Sequence, residues 1–327
     1  MPIVLSDHSS QITDHRSQFT KKSYLCNMKC NICPRNCNAN RTDTVGFCHA
    51  KETVEVSAVC IHKGEEPPIC GKKGICNVFF AHCNLQCIYC QNHEISLPHS
   101  NTPANIIGID AIVDKIAEIL PQTENIVGFV TPTHYADSIP SIVEALHARG
   151  LFPTTVYNCG GYEKVDTLKM LAPYIDIYLP DFKYMDSQIA NQYSHAPDYP
   201  EVAIAALKEM YNQKGSSLPT DDNDMAYRGI IIRHLVLPGH VENSKAVLDA
   251  IADISSNLHV ALMAQYYPPL PGLPDPLSRP LLKEEYDEVA DHFYAIGLHK
   301  GWVQELEAQT TYRPDFSSKN EIFRFSD

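Results

Sequence analysis

The chain lacks any run of about eighteen apolar residues, so it offers no helix able to cross a membrane. Positive charge is also scarce. Lys and Arg number 26 against 39 Asp and Glu, a formal net charge of −13. Phosphate neutralisation needs clustered Lys and Arg, so nucleic acid is excluded as a partner. The opening stretch "MPIVLSDHSSQITDHRSQFTKKSY" has no apolar core followed by a small-residue cleavage site. It reads as a polar arm over 1–24 rather than an export signal, which points to the cytoplasm. What remains is 327 residues, 44% of them hydrophobic, enough to bury a full core and ordinary for one α/β barrel.

Cysteine is what the chain has in excess. Of twelve, eleven fall in the first 90 residues. Disulfide scaffolds are usually short, secreted chains, so clustered cysteines in a long chain without an export signal read as metal ligands. "CNLQCIYCQNHEIS" holds Cys83, Cys87 and Cys90, one thiolate short of a closed tetrahedron. His82 or His93 could close a zinc site. A Cys-x-x-Cys redox pair would use only two of the three. An iron–sulfur cube on three thiolates would leave one iron open, and spacing alone ranks that above zinc. Further forward, Cys30, Cys33, Cys37 and Cys48 make a complete set of four for a second site, zinc or iron–sulfur, between which the sequence does not choose. A metal there would supply folding energy that an apolar-poor segment lacks. Cys26, Cys60, Cys70, Cys76 and Cys159 read as small core residues.

Behind the cysteines, strands and helices alternate. Strand-like runs at 77–82, 125–131, 154–158, 176–181, 229–237 and 259–266 are separated by helical patterns at 109–120, 138–150, 163–172, 200–215 and 244–254. A last helix follows at 283–297 and a terminal strand at 302–306. Unbroken apolar strands alternating with helices predict a parallel sheet covered by helices, an α/β partial (β/α)6 barrel. Sites in such folds lie at the C-terminal ends of the strands. The expected layout is the arm 1–24, a Cys-rich N-terminal metal-binding segment 25–75, the barrel 76–300 and a C-terminal strand and tail 301–327.

Cys-x3-Cys-x2-Cys after the first barrel strand resembles the signature of the radical S-adenosylmethionine superfamily. "PPICGKKGICNVFFAHCNLQCIYCQNHEIS", "VTPTHY", "VYNCGGYE", "DIYLPDFKY", "GIIIRHLVLPG" and "MAQYYP" resemble, in order, the PflX-like branch of pyruvate formate-lyase activating-enzyme homologues. "CNICPRNC", "GFCHA" and "HKGEEPP" extend the resemblance over about residues 25 to 305. It implies a [4Fe-4S] cluster on Cys83, Cys87 and Cys90, with S-adenosylmethionine chelating the open iron. Reductive cleavage would then give a 5′-deoxyadenosyl radical for hydrogen abstraction, an oxidoreductase chemistry.

In similar proteins an aromatic at Tyr89 packs near the adenine. No Gly-Gly-Glu stretch follows the second strand here; Thr131, Thr133 and His134 of "TPTHY" occupy that place and are assigned to cofactor contact, although Thr-Pro-Thr also suits a helix start. Asp181 and Lys183 resemble the Asp-x-Lys near the methionine carboxylate of glycyl-radical activating enzymes, where a Lys can pair a carboxylate. Asn158 would face the ribose or that carboxylate. Arg233 and His234 are neighbours on one strand, so only one can point inward; Arg233 is taken as the cofactor-facing one. The implied partners are a low-potential donor such as flavodoxin or ferredoxin and a protein substrate carrying a glycyl radical. The alternatives are modification of a peptide or small molecule, or a non-catalytic zinc or iron–sulfur scaffold.

Overall fold

The computed structural model describes residues 29–98, 104–310, 313–316 and 322–323. The expected arm over 1–24 and Cys26 lie outside them. Nine strands form one sheet: β1 (Glu55–His62), β2 (Ile75–Phe80), β3 (Ile106–Ile107), β4 (Ile126–Val130), β5 (Thr154–Cys159), β6 (Ile177–Pro180), β7 (Gly229–Leu235), β8 (His259–Met263) and β9 (Gly301–Val303). Their order is β3-β1-β2-β4-β5-β6-β7-β8-β9. From β2 to β9 every pairing is parallel, while β1 runs antiparallel to β2 and β3.

The expected α/β partial barrel is the observed fold. Strands β2, β4 and β6 are buried along their whole length, as strands covered on both faces must be. Side chains sort by the period of two. Val78, Val127, Phe129, Tyr178, Ile232 and Leu262 join the large cluster under the helices. Ile75, Ile126, Val156, Ile177, Ile231 and Ala261, one from each of six strands, form a separate cluster that fills the inner face of the curved sheet. On the outer layer, the helix Ile109–Ile119 buries Ile112, Val113 and Ile116, each worth about 1.5–3 kcal/mol. Among the described residues no helix is long and apolar enough to cross a membrane.

Two features differ from expectation. The first barrel strand runs over Ile75–Phe80 rather than 77–82: Ile75 and Cys76 extend the apolar run at its start, and the left-handed φ of 73° at His82 ends the extended backbone. The described part of segment 25–75 also joins the barrel's own sheet and core. It contains β1, which pairs with β2, and its Cys48, Ala50, Val54 and Val56 belong to the main core.

Candidate active site

A cavity of about 210 Å³ opens at the C-terminal ends of the parallel strands. The loop after β2 lines one wall. Its chain reverses sharply, with φ of 73° at His82 and 55° at Gln86, and the turn delivers Cys83, Cys87, Tyr89 and Cys90 to the cavity. Each sulfur accepts a hydrogen bond: from Leu85 N to Cys83 Sγ at 3.3 Å, Ser194 Oγ to Cys87 Sγ at 2.9 Å and Ser96 Oγ to Cys90 Sγ at 3.2 Å. Burial pushes the Cys83 thiol up to about 12, and the neighbouring Cys87 and Cys90 add to it. Cys90 goes up to about 11, again mainly by burial and then by Cys87. Three sulfurs so placed need a positively charged group to hold them as thiolates.

The two histidines that would close a zinc site are engaged elsewhere. His82 Nε2 lies 3.0 Å from Glu55 Oε2, and His93 Nδ1 lies 3.2 Å from the Cys90 carbonyl. Cys159 also lines the cavity, but its sulfur sits with Glu163 and Asp181. Among the described residues, no three His, Cys, Asp or Glu side chains converge as a single-ion cage. Zinc needs its ligands on one point, whereas a cube takes each thiolate to a different iron.

The opposite wall is charged. Lys183 Nζ lies 2.7 Å from Asp181 Oδ2, and Arg233 Nε 2.9 Å from Asp181 Oδ1. Arg233 also donates to Glu65 Oε2 at 3.1 Å and to Asn158 Oδ1 at 2.6 Å. Burial alone would raise the Asp181 carboxyl, but Lys183 and Arg233 outweigh it and hold the group below its usual value. Tyr199 ties these strand ends together: its hydroxyl accepts from Lys183 N and donates to the Gly160 carbonyl, both at 2.9 Å. Gly161, at φ +75, allows this approach, since a Cβ there would stand 2.2 Å from the Asp181 carbonyl oxygen.

Thr131 lines the cavity, its backbone N–H donating to the Asn158 carbonyl at 2.8 Å. Thr133 and His134, assigned to cofactor contact from sequence, do not line it. The chain turns at Thr131 (φ 56°) into a 3-10 turn over Thr133–Ser138, which rotates both side chains into the core. His134 Nε2 meets the Ala81 carbonyl at 2.7 Å, and burial drives its pKa down to about 3. His234 likewise faces away from the cavity, with Nδ1 2.7 Å from the Phe182 carbonyl, while Arg233 faces in.

Sequence reasoning gave no role to Glu65 and Glu66 of "HKGEEPP" or to Gln91, Gln265 and Gln304. All five line the cavity. Burial raises Glu66 to about 7, with Arg233 pulling it down and Glu65 pushing it up. The glutamines interlock: Gln265 donates to Gln91 at 3.2 Å and Gln304 to Gln265 at 3.0 Å. Glu65, Glu66, Gln91 and Gln265 lie within stretches that carry the family resemblance, whereas Gln304, in the terminal strand reading, had no such signal.

At the front, Cys33 and Cys48 are buried, Cys30 is half-buried and Cys37 exposed. Burial pushes Cys33 up to about 12, with Cys48 and Cys30 adding to it. The thiols neighbour one another and the Arg41 guanidinium without forming a single-ion cage. Cys60, Cys70 and Cys76 sit in or against the core, as expected.

Beneath the cavity, Glu163 is 2% exposed, accepting from Thr133 Oγ1 and from Tyr157 Oη at 3.1 Å. Burial raises its pKa from 4.5 to about 8, against the pull of those hydrogen bonds. The folded state therefore keeps a proton that the unfolded state releases. This stabilisation is fully present below about 4.5 and is lost as pH rises through about 8. Urea midpoints should fall between pH 5 and 8 in the native protein and flatten in Glu163→Gln. Equal slopes in the two proteins would remove Glu163 as the cause.

No model of a protein family matches the chain. Among curated proteins it is 27% identical over 261 residues to an uncharacterized protein of Methanocaldococcus jannaschii, covering 77% of this chain and 70% of that one. It is 25% identical over 108 residues to a putative glycyl-radical enzyme activating enzyme of Haemophilus influenzae, covering 33% of this chain and 40% of that one. Among solved structures it is similar to a domain of pyruvate-formate lyase-activating enzyme from Bacteroides vulgatus, at TM-score 0.36 and 14% identity, over 52% of this chain and 92% of that one. Streptococcus suis SuiB bound to S-adenosylmethionine gives TM-score 0.42 and 14% identity, over 70% and 47%.

Proposed function

We propose that this chain is an iron–sulfur enzyme of the radical S-adenosylmethionine kind, acting by hydrogen-atom abstraction. The observation that carries the reading is one cavity with Cys83, Cys87 and Cys90 on one wall and Asp181, Lys183 and Arg233 on the other. The donor set fits a [4Fe-4S] cluster: three thiols of one loop line the cavity, each with a hydrogen-bond donor to its sulfur. When bound, the cluster and S-adenosylmethionine supply a one-electron reductive cleavage that yields methionine and a 5′-deoxyadenosyl radical.

The chain's own residues hold and orient. Cys83, Cys87 and Cys90 ligate the cluster. Lys183 offers an ammonium to the methionine carboxylate, its position fixed by Asp181. Asn158 and Thr131 face the same space from β5 and from the loop after β4, and Tyr89 supplies an aromatic wall. Leu85, Leu235 and Met263 line the cavity as apolar residues that keep water from the reacting atoms.

Activation of a glycyl-radical enzyme is the finer reading, supported by the name of the Haemophilus relative and by the sequence resemblance. A flavodoxin- or ferredoxin-type donor would supply the electron. A second metal at Cys30, Cys33, Cys37 and Cys48 rests on the cysteine spacing alone, since no three of these side chains converge as a single-ion cage. Elemental analysis of a Cys30→Ser, Cys33→Ser variant tests it.

For the main reading, the protein is reconstituted anaerobically with iron and sulfide, reduced with dithionite and given S-adenosylmethionine. Formation of 5′-deoxyadenosine is expected. A loaded, reduced protein that forms none would sink the reading.

A further inference from the structure

Cys87 is joined to a run of hydroxyls that the proposed chemistry does not use. Ser194 Oγ donates to Cys87 Sγ at 2.9 Å. Tyr184 Oη lies 2.7 Å from Ser194 Oγ, and Tyr89 Oη 2.6 Å from Tyr184 Oη. Ser194 and Tyr184 are fully buried and Tyr89 is 5% exposed, so water does not compete. Because the Ser194 proton goes to sulfur, Tyr184 must donate to Ser194, and Tyr89 to Tyr184. The run is thus directed, each O–H pointing towards the thiolate, and donors in series polarise one another.

The scaffold fixes Ser194 from three sides. It ends the helix Ser187–Ser194, which Asp186 caps through Gln188 N at 2.7 Å and which terminates at left-handed His195. The cysteine loop is pinned to the same helix end by Ile88 N donating to the Tyr193 carbonyl at 2.9 Å. From the Cys-rich front, Arg35 donates to the carbonyls of Asn84 and Ser194, both at 2.8 Å, and to that of His195. Phe47 stacks on the Arg35 guanidinium at 4.0 Å and accepts from Gln86 Nε2 at its carbonyl. Loop, helix end and front meet at one joint, and Ser194 is its polar contact with a cysteine sulfur.

We propose that Ser194 is a positioning residue that raises the reduction potential of the cluster held by Cys87, with Tyr184 behind it. The proposal rests on the functional reading above. A donor to a ligating sulfur stabilises the extra negative charge of the reduced state, and hydrogen bonds to sulfur are a known lever on such potentials. The Cys-rich front thereby acquires a function independent of any metal of its own: Arg35 holds the donor against the loop.

The test is a potentiometric titration of the reconstituted protein, followed by the electron paramagnetic resonance of the reduced cluster. Ser194→Ala is expected to shift the midpoint to lower potential at unchanged iron content. Tyr184→Phe, which leaves the serine donor but removes what polarises it, is expected to shift it less in the same direction. If Ser194→Ala takes up no iron, Tyr184→Phe carries the test alone. An unchanged midpoint in a fully loaded variant overturns this proposal and leaves the functional reading intact. A native protein that takes up no cluster overturns both.

Discussion

Replacing Cys87 by alanine is expected to strip the reconstituted protein of most of its iron and to bring 5′-deoxyadenosine formation to background. Two thiolates are left where a cluster needs three from the chain, and no other thiol among the described residues is placed to substitute. Cys159 shares the cavity but sits with Glu163 on the far strand end. The fold itself should survive. Loss of one buried sulfur costs on the order of 1 kcal/mol, and the loop stays pinned by Ile88 N on the Tyr193 carbonyl. Cys60→Ala is the matched control: a half-buried cysteine on β1 that packs against Phe79 and its neighbours and does not line the cavity. Iron per chain, measured beside apo-protein thermal unfolding, separates the outcomes. Iron retained in Cys87→Ala, or lost equally in Cys60→Ala, would remove the loop as the cluster site.

Much of this was legible in the sequence because the relevant signals are local. Apolar runs without alternation mark strands buried on both faces, and punctuation at their ends marks the cavity rim. Cys83, Cys87, Tyr89 and Cys90 come from one loop, so spacing alone kept them together. Asp181, Lys183, Asn158 and Arg233 come from strand ends, which the topology gathers. Thr133 and His134 lie off the cavity for a local reason too: Thr131 takes a left-handed conformation and the following 3-10 turn reverses the side chains, which a strand-end rule does not foresee. β1 was hidden because a bulge between Val56 and Ala58 breaks its alternation, placing Val56 in the main core and Ala58 against Phe79, within a segment dominated by cysteines. Long-range contacts were invisible. Ser194 reaches Cys87 across 107 positions, and Arg35 reaches Ser194 across 159. Hydroxyls and guanidinium groups leave no periodic trace that such partners could be read from.

Arg233→Met is expected to be the most destabilising change at the polar wall, by about 3 kcal/mol, the lower part of the range for breaking a buried ion pair. The size follows from what the guanidinium holds. Its three nitrogens serve Asp181, Glu65 and Asn158 at once, and its side chain is only 17% exposed. Methionine keeps the apolar stem and leaves those acceptors behind. Asp181 retains Lys183, but Glu65, whose side chain is 7% exposed, keeps among the described residues Asn77 Nδ2 at 2.8 Å and His62 Nε2 at 3.9 Å. Most of the loss should therefore reside in Glu65. Adding Glu65→Gln neutralises the stranded charge, so the double variant should be more stable than the sum of the single changes, with a coupling of about 1 kcal/mol or more. Because Asn158 and Lys183 share the same wall, S-adenosylmethionine binding should weaken in Arg233→Met and recover less than stability does in the double variant. Urea unfolding of all four proteins checks the cycle. A single variant within about 0.5 kcal/mol of native, the range of an ordinary surface change, would mean that Arg233 is solvated and the wall is not a buried network.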